Sequence, residues 1–265
     1  MNIVFFTQED PFYVKVFFNA FFQNYKYLDE IKAVVISKPM GKKSTLKLAK
    51  QMFDFYGIID FYKVGVKYTY KKLMGKQSMN NRSGNIRTYT VKQLVESYGF
   101  DVIERSDLNS PEFHELISAY DADLFISVAS PIIFKEKLIN IPRLDTINVH
   151  NAPLPHYRGM LPNFWQLYHG EREAGITVHR IETGIDTGDV LARESVPIAP
   201  GDTLHDMIVK TKMLDVKLIF KVIEDFRHGR VQYTKMESGG SYYSFPTRKD
   251  VREFRKRGRS LMGIV

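Results

Sequence analysis

Short apolar runs alternate along the chain with stretches whose apolar residues recur at helical spacing. Residues 3–6, 31–36, 100–103, 124–128 and 146–149 form the apolar runs. Residues 11–23, which are very rich in phenylalanine, and residues 42–55, 91–97 and 111–119 carry the helical pattern. Strands that alternate with helices are joined by parallel crossovers. The pattern therefore predicts an α/β chain built on an open, doubly wound, mostly parallel sheet with helices on both faces. Ligands of such sheets bind outside the carboxyl ends of the strands. The run at 146–149 delivers Asn148 and His150 to such an end.

Two segments depart from the alternation. Between residues 55 and 85 the chain mixes Phe55, Tyr56, Phe61, Tyr62, Tyr68 and Tyr70 with Lys63, Lys67, Lys71, Lys72 and Lys76, and Gly57 and Gly65 break it. This reads as a basic, aromatic insertion. Its plainer reading is an extra helical lobe that covers one sheet edge with snorkelling lysines. The alternative is an amphipathic stretch, around 55–76, that rests on a membrane surface or a partner. Residues 79–85, rich in asparagine, read as a loop. The second departure is the carboxyl end. Leu204, Met207, Ile208, Met213, Leu214, Val216, Leu218, Ile219, Val222 and Ile223 mark a core-facing helix over 203–226, with Thr203 as N-cap and Gly229 as stop. A Ser241-Tyr242-Tyr243-Ser244-Phe245-Pro246 tail and a short basic helix over 249–257 follow.

Composition changes the picture only at its edges. With 265 residues, 44% of them hydrophobic, the chain can bury a full core. It has no cysteine, which excludes disulfides, thiolate metal sites and a cysteine nucleophile. No leader pattern opens the sequence and no long uncharged apolar window occurs, so a soluble cytoplasmic protein is expected. A net charge of +8 and a pI near 9.4 favour anionic partners: a nucleotide, a polyglutamylated cofactor, RNA or an anionic membrane face. Charge alone does not choose among them.

Candidate chemistry lies in the run Asn148-Val149-His150-Asn151-Ala152-Pro153-Leu154-Pro155-His156-Tyr157-Arg158-Gly159, with Asp186 following 36 positions after His150. Acyl transfer to an amine passes through a tetrahedral adduct with a charged oxygen, while the attacking nitrogen loses a proton. Asn148 supplies an amide N–H for the oxyanion, and His150, on the same strand face, supplies a base. Asp186, between Gly184 and Gly188, orients the imidazole or relays the proton through water. Taken singly, an Asn-X-His and an Asp beside a glycine are more often turns than sites. Their order and spacing carry the signal.

Asn-Val-His, then Pro-Leu-Pro-X-Tyr-Arg-Gly, then Gly-Ile-Thr-Val-His and Gly-Ile-Asp-Thr-Gly-Asp together resemble the tetrahydrofolate-dependent formyltransferases, densely from about residue 123 to 203. The resemblance implies a Rossmann-like catalytic domain, placed at 1–228, with 229–265 as a short extension rather than a second domain. It implies that Asn148, His150 and Asp186 are catalytic. Val128, Ser130, Pro131, Ile132 and Ile133 then line the pterin pocket, and Glu182, Gly184 and Ile185 belong to the loop closing over it. Tyr157, Arg158 and Gly159 frame the acceptor side, where the guanidinium meets an anionic group or only fixes the loop. His156 and His179 are supporting residues. The donor implied is 10-formyltetrahydrofolate, with no metal.

Departures from the family bear on the acceptor. Ribonucleotide-directed members resemble one another in a Gly/Ser-rich phosphate turn after the first strand, where this chain has Thr7-Gln8-Glu9-Asp10-Pro11. Members that act on tRNA carry a further barrel domain, for which the 38 residues from His228 onward are too few. On the other side, the segment from Lys38 to Lys43 is similar to their basic loop. The expectation is a small primary amine, an amino sugar linked to a nucleotide. The alternatives are a tRNA-directed enzyme without the barrel, or a hydrolase that releases formate from the same donor.

Overall fold

The computed structural model describes residues 1–38, 45–80 and 88–262. Its elements begin β1 (Ile3–Gln8), α1 (Val14–Asn24), β2 (Ile31–Ser37), α2 (Thr45–Asn80), α3 (Val91–Ser97), β3 (Asp101–Glu104), α4 (Pro111–Ser118), β4 (Leu124–Val128) and α5 (Glu136–Ile139). They continue with β5 (Asp145–His150), β6 (Arg158–Gly159), α6 (Pro162–His169), β7 (Glu173–Arg180), β8 (Val190–Pro197), α7 (Leu204–Arg227), β9 (Tyr242–Tyr243) and α8 (Arg248–Lys256). A seven-stranded open sheet runs β3-β2-β1-β4-β5-β7-β8, and β6 pairs with β9. The pairs of β1 with β2, β1 with β4 and β2 with β3 are parallel, and β7 with β8 is antiparallel. The expected mostly parallel α/β sheet is the observed one. The chain divides into two compact units, Met1–Lys42 with Lys63–Asn148, and Lys43–Tyr62 with Val149–Val265.

In the first unit, β1 is packed on both faces. Successive strand side chains point to opposite sides, so Phe5 and Phe6 each meet a different aromatic cluster. The Phe5 ring lies 6.4, 5.5 and 5.0 Å from Phe17, Phe18 and Phe21 of α1. The Phe6 ring lies 6.3, 4.8 and 4.9 Å from Phe113, Phe125 and Phe134. The phenylalanine-rich stretch is thus one wall of the core. Its helix starts at Val14 rather than at residue 11 because the Asp10 carboxylate accepts the N–H groups of Phe12 and Tyr13 at 2.7 and 3.1 Å, turning the chain first.

In the second unit, α7 buries Leu204, Met207, Ile208, Val216, Leu218, Ile219, Val222 and Ile223, whereas Met213, expected on the same face, is exposed and Leu214 only half-buried. Thr203 and Asp206 close a capping box at its start. The tail is built in: Phe254 of α8 stacks on Phe164 of α6 at 4.5 Å, and a second capping box, Thr247 with Asp250, starts α8.

The aromatic stretch corrects the sequence reading in one respect. It continues α2, broken only at Gly57 (φ +73°), while Gly65 lies within the helix. At the break, the Tyr56 carbonyl accepts from Arg255 Nη2 at 2.8 Å. Residues 79 and 80 of the expected loop belong to α2, and 81–85 lie outside the described residues, as do 39–43 of the basic loop. Among the described residues, no helix is long and apolar enough to cross a membrane.

Replacing Phe5 by Ala empties the contact of β1 with α1. The expected loss of folding stability is about 3–5 kcal/mol, read by urea denaturation. A loss below about 1 kcal/mol would show that β1 is not the packing centre of its unit.

Candidate active site

β5 ends in a loop that is fastened at nearly every residue. The Asn151 side chain donates to Asp215 Oδ1 at 2.6 Å and accepts from Lys212 Nζ at 2.8 Å, and Lys212 reaches Asp215 Oδ2 at 2.7 Å. Asp215 is fully buried, and burial pushes its carboxyl up despite the lysine beside it. The Asn151 carbonyl accepts from Gln166 Nε2 at 2.8 Å, and the Ala152 carbonyl from Thr177 Oγ1 at 2.7 Å. The Leu154 carbonyl accepts from Arg193 at 2.7 Å, and the Tyr157 N–H donates to Ser241 Oγ at 2.9 Å. His150 is therefore presented by a loop whose polar groups are already satisfied.

The His150 ring is buried, and its Nε2 lies 2.9 Å from the Tyr157 carbonyl. A carbonyl only accepts, so Nε2 carries the proton and Nδ1 faces Asp186 Oδ1, at 3.7 Å. His179, on β7, approaches the same oxygen: its Nε2 is 3.7 Å from Asp186 Oδ1, while its Nδ1 donates to the Arg180 carbonyl at 2.7 Å. The other carboxylate oxygen, Oδ2, accepts the Gly159 N–H at 2.9 Å. In neutral rings both nitrogens turned toward Oδ1 bear lone pairs. Three acceptors thus converge on one small space, a setting that takes up a proton. Burial holds the His179 imidazole down to a pKa of about 4, against the pull of Asp186. His179 therefore stays neutral near pH 7.

Asp186 reaches this position through a left-handed backbone (φ +52°), which aspartate tolerates better than most residues. Gly184 and Gly188 serve a different purpose from the one their position suggests. Neither takes a positive φ; a Cβ at Gly188 would stand 2.0 Å from the Arg180 carbonyl oxygen, and one at Gly184 would stand 2.2 Å from Thr187 Oγ1. They clear space for the turn.

The structure brings His150, Asp186, Gly159 and the Tyr157 carbonyl together. Asn148 is half-buried, two residues before His150 on the same face of β5. In the first unit, Val128 is buried, Ser130, Pro131 and Ile132 are half-buried, and Ile133 is exposed. In the second, Glu182, Gly184 and Ile185 are exposed. Arg158 Nη2 lies 3.4 Å from the Gly239 carbonyl, and its buried Nε has no hydrogen-bond partner among the described residues. The two supporting histidines separate: His179 joins the Asp186 cluster, whereas His156 lines a cavity of about 570 Å³ with Tyr157, His169, Glu171 and Tyr243. Sequence reasoning missed the backbone partners at Tyr157 and Gly159, the Lys212–Asp215 pair under the loop, and the stack of Tyr243 between Tyr157 (5.6 Å) and Trp165 (4.6 Å). Among the described residues, no group of three or more acidic, histidine or cysteine side chains is placed to hold a metal ion.

Unfolding releases His179 to protonate near pH 6.5, whereas the folded protein holds it neutral to about pH 4. The stability it confers is whole above pH 6.5 and is lost as the pH falls toward 4, by on the order of 2 kcal/mol. Denaturation midpoints measured across this window are expected to fall less steeply for His179→Asn than for the wild type. Equal slopes would show that another group titrates.

Comparison with known proteins follows the same lines. A sequence profile described as formyl transferase matches residues 71–223, more than half of the chain. The methionyl-tRNA formyltransferase of Geobacter metallireducens is 31% identical over 160 residues, covering 60% of this chain and 51% of the relative. That of Agathobacter rectalis is 31% identical over 156 residues, covering 58% and 50%. The chain spans about half the length of these curated relatives. Among solved structures, glycinamide ribonucleotide transformylase 1 from Symbiobacterium toebii superposes with a TM-score of 0.60 at 16% identity, covering 91% of this chain and 92% of that one. A sugar N-formyltransferase from Shewanella sp FDAARGOS_354 gives 0.56 at 18% identity, covering 92% and 77%. At such identities the two structures establish the fold. With the profile match over most of the site-bearing sequence, the chain belongs to the formyl transferase family.

Proposed function

We propose that this protein transfers a formyl group from 10-formyltetrahydrofolate to a primary amine, and that the amine belongs to an amino sugar linked to a nucleotide. The observation that carries the first part is the placement of Asp186 Oδ1 at 3.7 Å from both His150 Nδ1 and His179 Nε2. In this reading His150 takes the proton leaving the amine, and Asp186 stabilises the imidazolium that results. His179, neutral, keeps the proton from spreading further. Asn148 donates its amide N–H to the oxygen that gains charge. The donor would supply the formyl carbon: as the new carbon–nitrogen bond forms, its bond to N10 breaks, and N10 takes up the proton that His150 removed from the amine. In this reading the flat pterin is held by Val128, Ser130, Pro131, Ile132 and Ile133 of the first unit, and Glu182, Gly184 and Ile185 of the second are the donor's loop residues that the family resemblance implies. The chemistry resides in residues 1–228, with 229–265 as an extension that supports Arg158 and Gly159 through β9.

Two observations support the acceptor. Asp10 already fills the N–H groups of Phe12 and Tyr13 after β1, where a phosphate would otherwise sit. Arg158 keeps donors in reserve, and a diphosphate would satisfy them. A second reading, transfer to tRNA, is favoured by the names of the relatives at 31% identity.

The test is to incubate the protein with 10-formyltetrahydrofolate and a panel of nucleotide-linked amino sugars, with initiator methionyl-tRNA alongside, and to look for the mass of one added formyl group. His150→Ala is expected to lower the rate on the true acceptor by about 100-fold or more, and Arg158→Ala to raise KM for a nucleotide-linked acceptor. An unchanged rate for His150→Ala would overturn the mechanism. Modification of tRNA alone, with a steep loss on added salt, would overturn the acceptor. Release of formate with every amine left unmodified would make the protein a hydrolase.

A further inference from the structure

We propose that the part of α2 beyond Gly57 is a docking surface for an anionic lipid bilayer. Seven apolar or aromatic residues of this part stand in solvent; apart from Tyr68, which helical rotation places elsewhere, they are Ile58, Ile59, Tyr62, Val66, Tyr70 and Leu73, at 75, 71, 73, 51, 56 and 57% exposed. Residues 58–80 follow the break without another interruption, so helical rotation alone fixes which of them share a face. At about 100° per residue, the six fall within a stripe about 120° wide. Exposed Lys63 and Lys67 follow one border of the stripe, and exposed Lys72 lies across the other.

The opposite face of the same helix is the committed one. The Lys71 ammonium donates to the Pro11 carbonyl at 2.6 Å and lies 4.5 Å over the Phe12 ring, and the Gly75 carbonyl accepts from Gln93. Asp60, on that face too, is 3.2 Å from Arg255. The contacts that hold the helix thus turn its most apolar side outward. Covering a sheet edge, the plainer reading of this segment, is not what these six residues do.

Charge selects the occupant. Between residues 58 and 75 the helix carries four lysines and one acid, and that acid, Asp60, is engaged with Arg255. A second copy laid on the stripe would set lysine against lysine on a chain of net charge +8. An anionic bilayer meets both features: headgroups take the bordering lysines, the aliphatic residues enter the acyl boundary, and Tyr62 and Tyr70 sit where an amphipathic ring is stable. Exposed apolar residues gathered on one lysine-bordered face are a feature of a surface-lying helix.

The full chain is mixed with vesicles of phosphatidylcholine alone and of phosphatidylcholine with phosphatidylserine, and bound protein is read by sedimentation. Binding to the phosphatidylserine vesicles is expected to be at least about tenfold tighter and to weaken with salt. Ile59→Glu with Val66→Glu, and separately Lys63→Glu with Lys67→Glu, are each expected to reduce it at least about tenfold. All four side chains project into solvent, so circular dichroism and thermal melting should match the wild type. Three results would overturn the proposal: no binding to the anionic vesicles, equal binding to both vesicle types, or binding retained by the Ile59→Glu and Val66→Glu variant. A concentration-dependent dimer that the same variant dissociates, in place of vesicle binding, would assign the stripe to a second copy instead.

Discussion

One carboxylate fixes the candidate site. Asp186 has two oxygens with different tasks: Oδ2 accepts the Gly159 N–H at 2.9 Å, and Oδ1 stands 3.7 Å from an imidazole nitrogen on each of two strands. The first bond sets where the carboxylate is, and the second oxygen is then left to face His150 and His179. Gly159 is itself held without slack. Its φ is +95°, it pairs with Tyr243 across the β6–β9 ladder, and a Cβ there would stand 2.3 Å from the Tyr243 carbonyl oxygen. The turn carrying Asp186, the loop after β5 and the carboxyl-terminal tail therefore meet at one peptide N–H. A side chain at Gly159 would separate the tail from the loop and take the carboxylate's anchor with it.

Around this point the second unit invests in position. A buried Lys–Asp pair is weak evidence for stability, because desolvation of both ions offsets their attraction. The Lys212–Asp215 pair is closed on itself by Asn151, the residue directly after His150, so its geometric consequence is specific. Removing the lysine would leave a fully buried carboxylate under the loop. The loop's remaining carbonyls and N–H groups are held by Gln166, Thr177, Arg193 and Ser241, from α6, β7, β8 and the tail. A base supported in this way keeps its orientation without spending substrate binding energy on it.

Much of this was legible in the sequence, for definite reasons. Continuous apolar runs and helical spacing located most strands and helices of the first unit, because its central strands are buried on both faces and its helices on one. Phe5 and Phe6, adjacent in sequence and opposed in space, are the plainest case. Asn148, His150 and Asp186 were legible because their residue types and order are tied to chemistry. Tyr157 and Gly159 act through backbone groups that every residue type offers, and so leave little trace. The β6–β9 pairing joins residues more than eighty positions apart, beyond any local pattern. Gly65 misled because glycine inside a helix costs only about 1 kcal/mol relative to alanine, whereas Gly57 breaks α2 with a positive φ.

The anion-binding positions of the fold sharpen the reading of the acceptor. A helix N-terminus after a strand is a ready phosphate site, since its first N–H groups have no partners in the helix. In the first unit, backbone N–H groups in the turn that leads from β1 into α1, and at the start of α3, are taken by the protein's own carboxylates. Asp10 accepts from Phe12 and Tyr13 ahead of α1, and Glu9 accepts from Val91 and Lys92 at the start of α3, at 2.9 and 3.2 Å. Burial raises the Glu9 carboxyl even though those two backbone N–H groups pull the other way, and they are the same donors a phosphate would need. An anionic substrate arriving there would meet like charge as well as occupied donors. Arg158 differs in kind: a guanidinium with a long contact to one carbonyl and a buried Nε that no described residue satisfies. Leaving such a donor unpaired is costly unless something arrives to accept from it. Under the proposed function, the acceptor's anionic group is that partner.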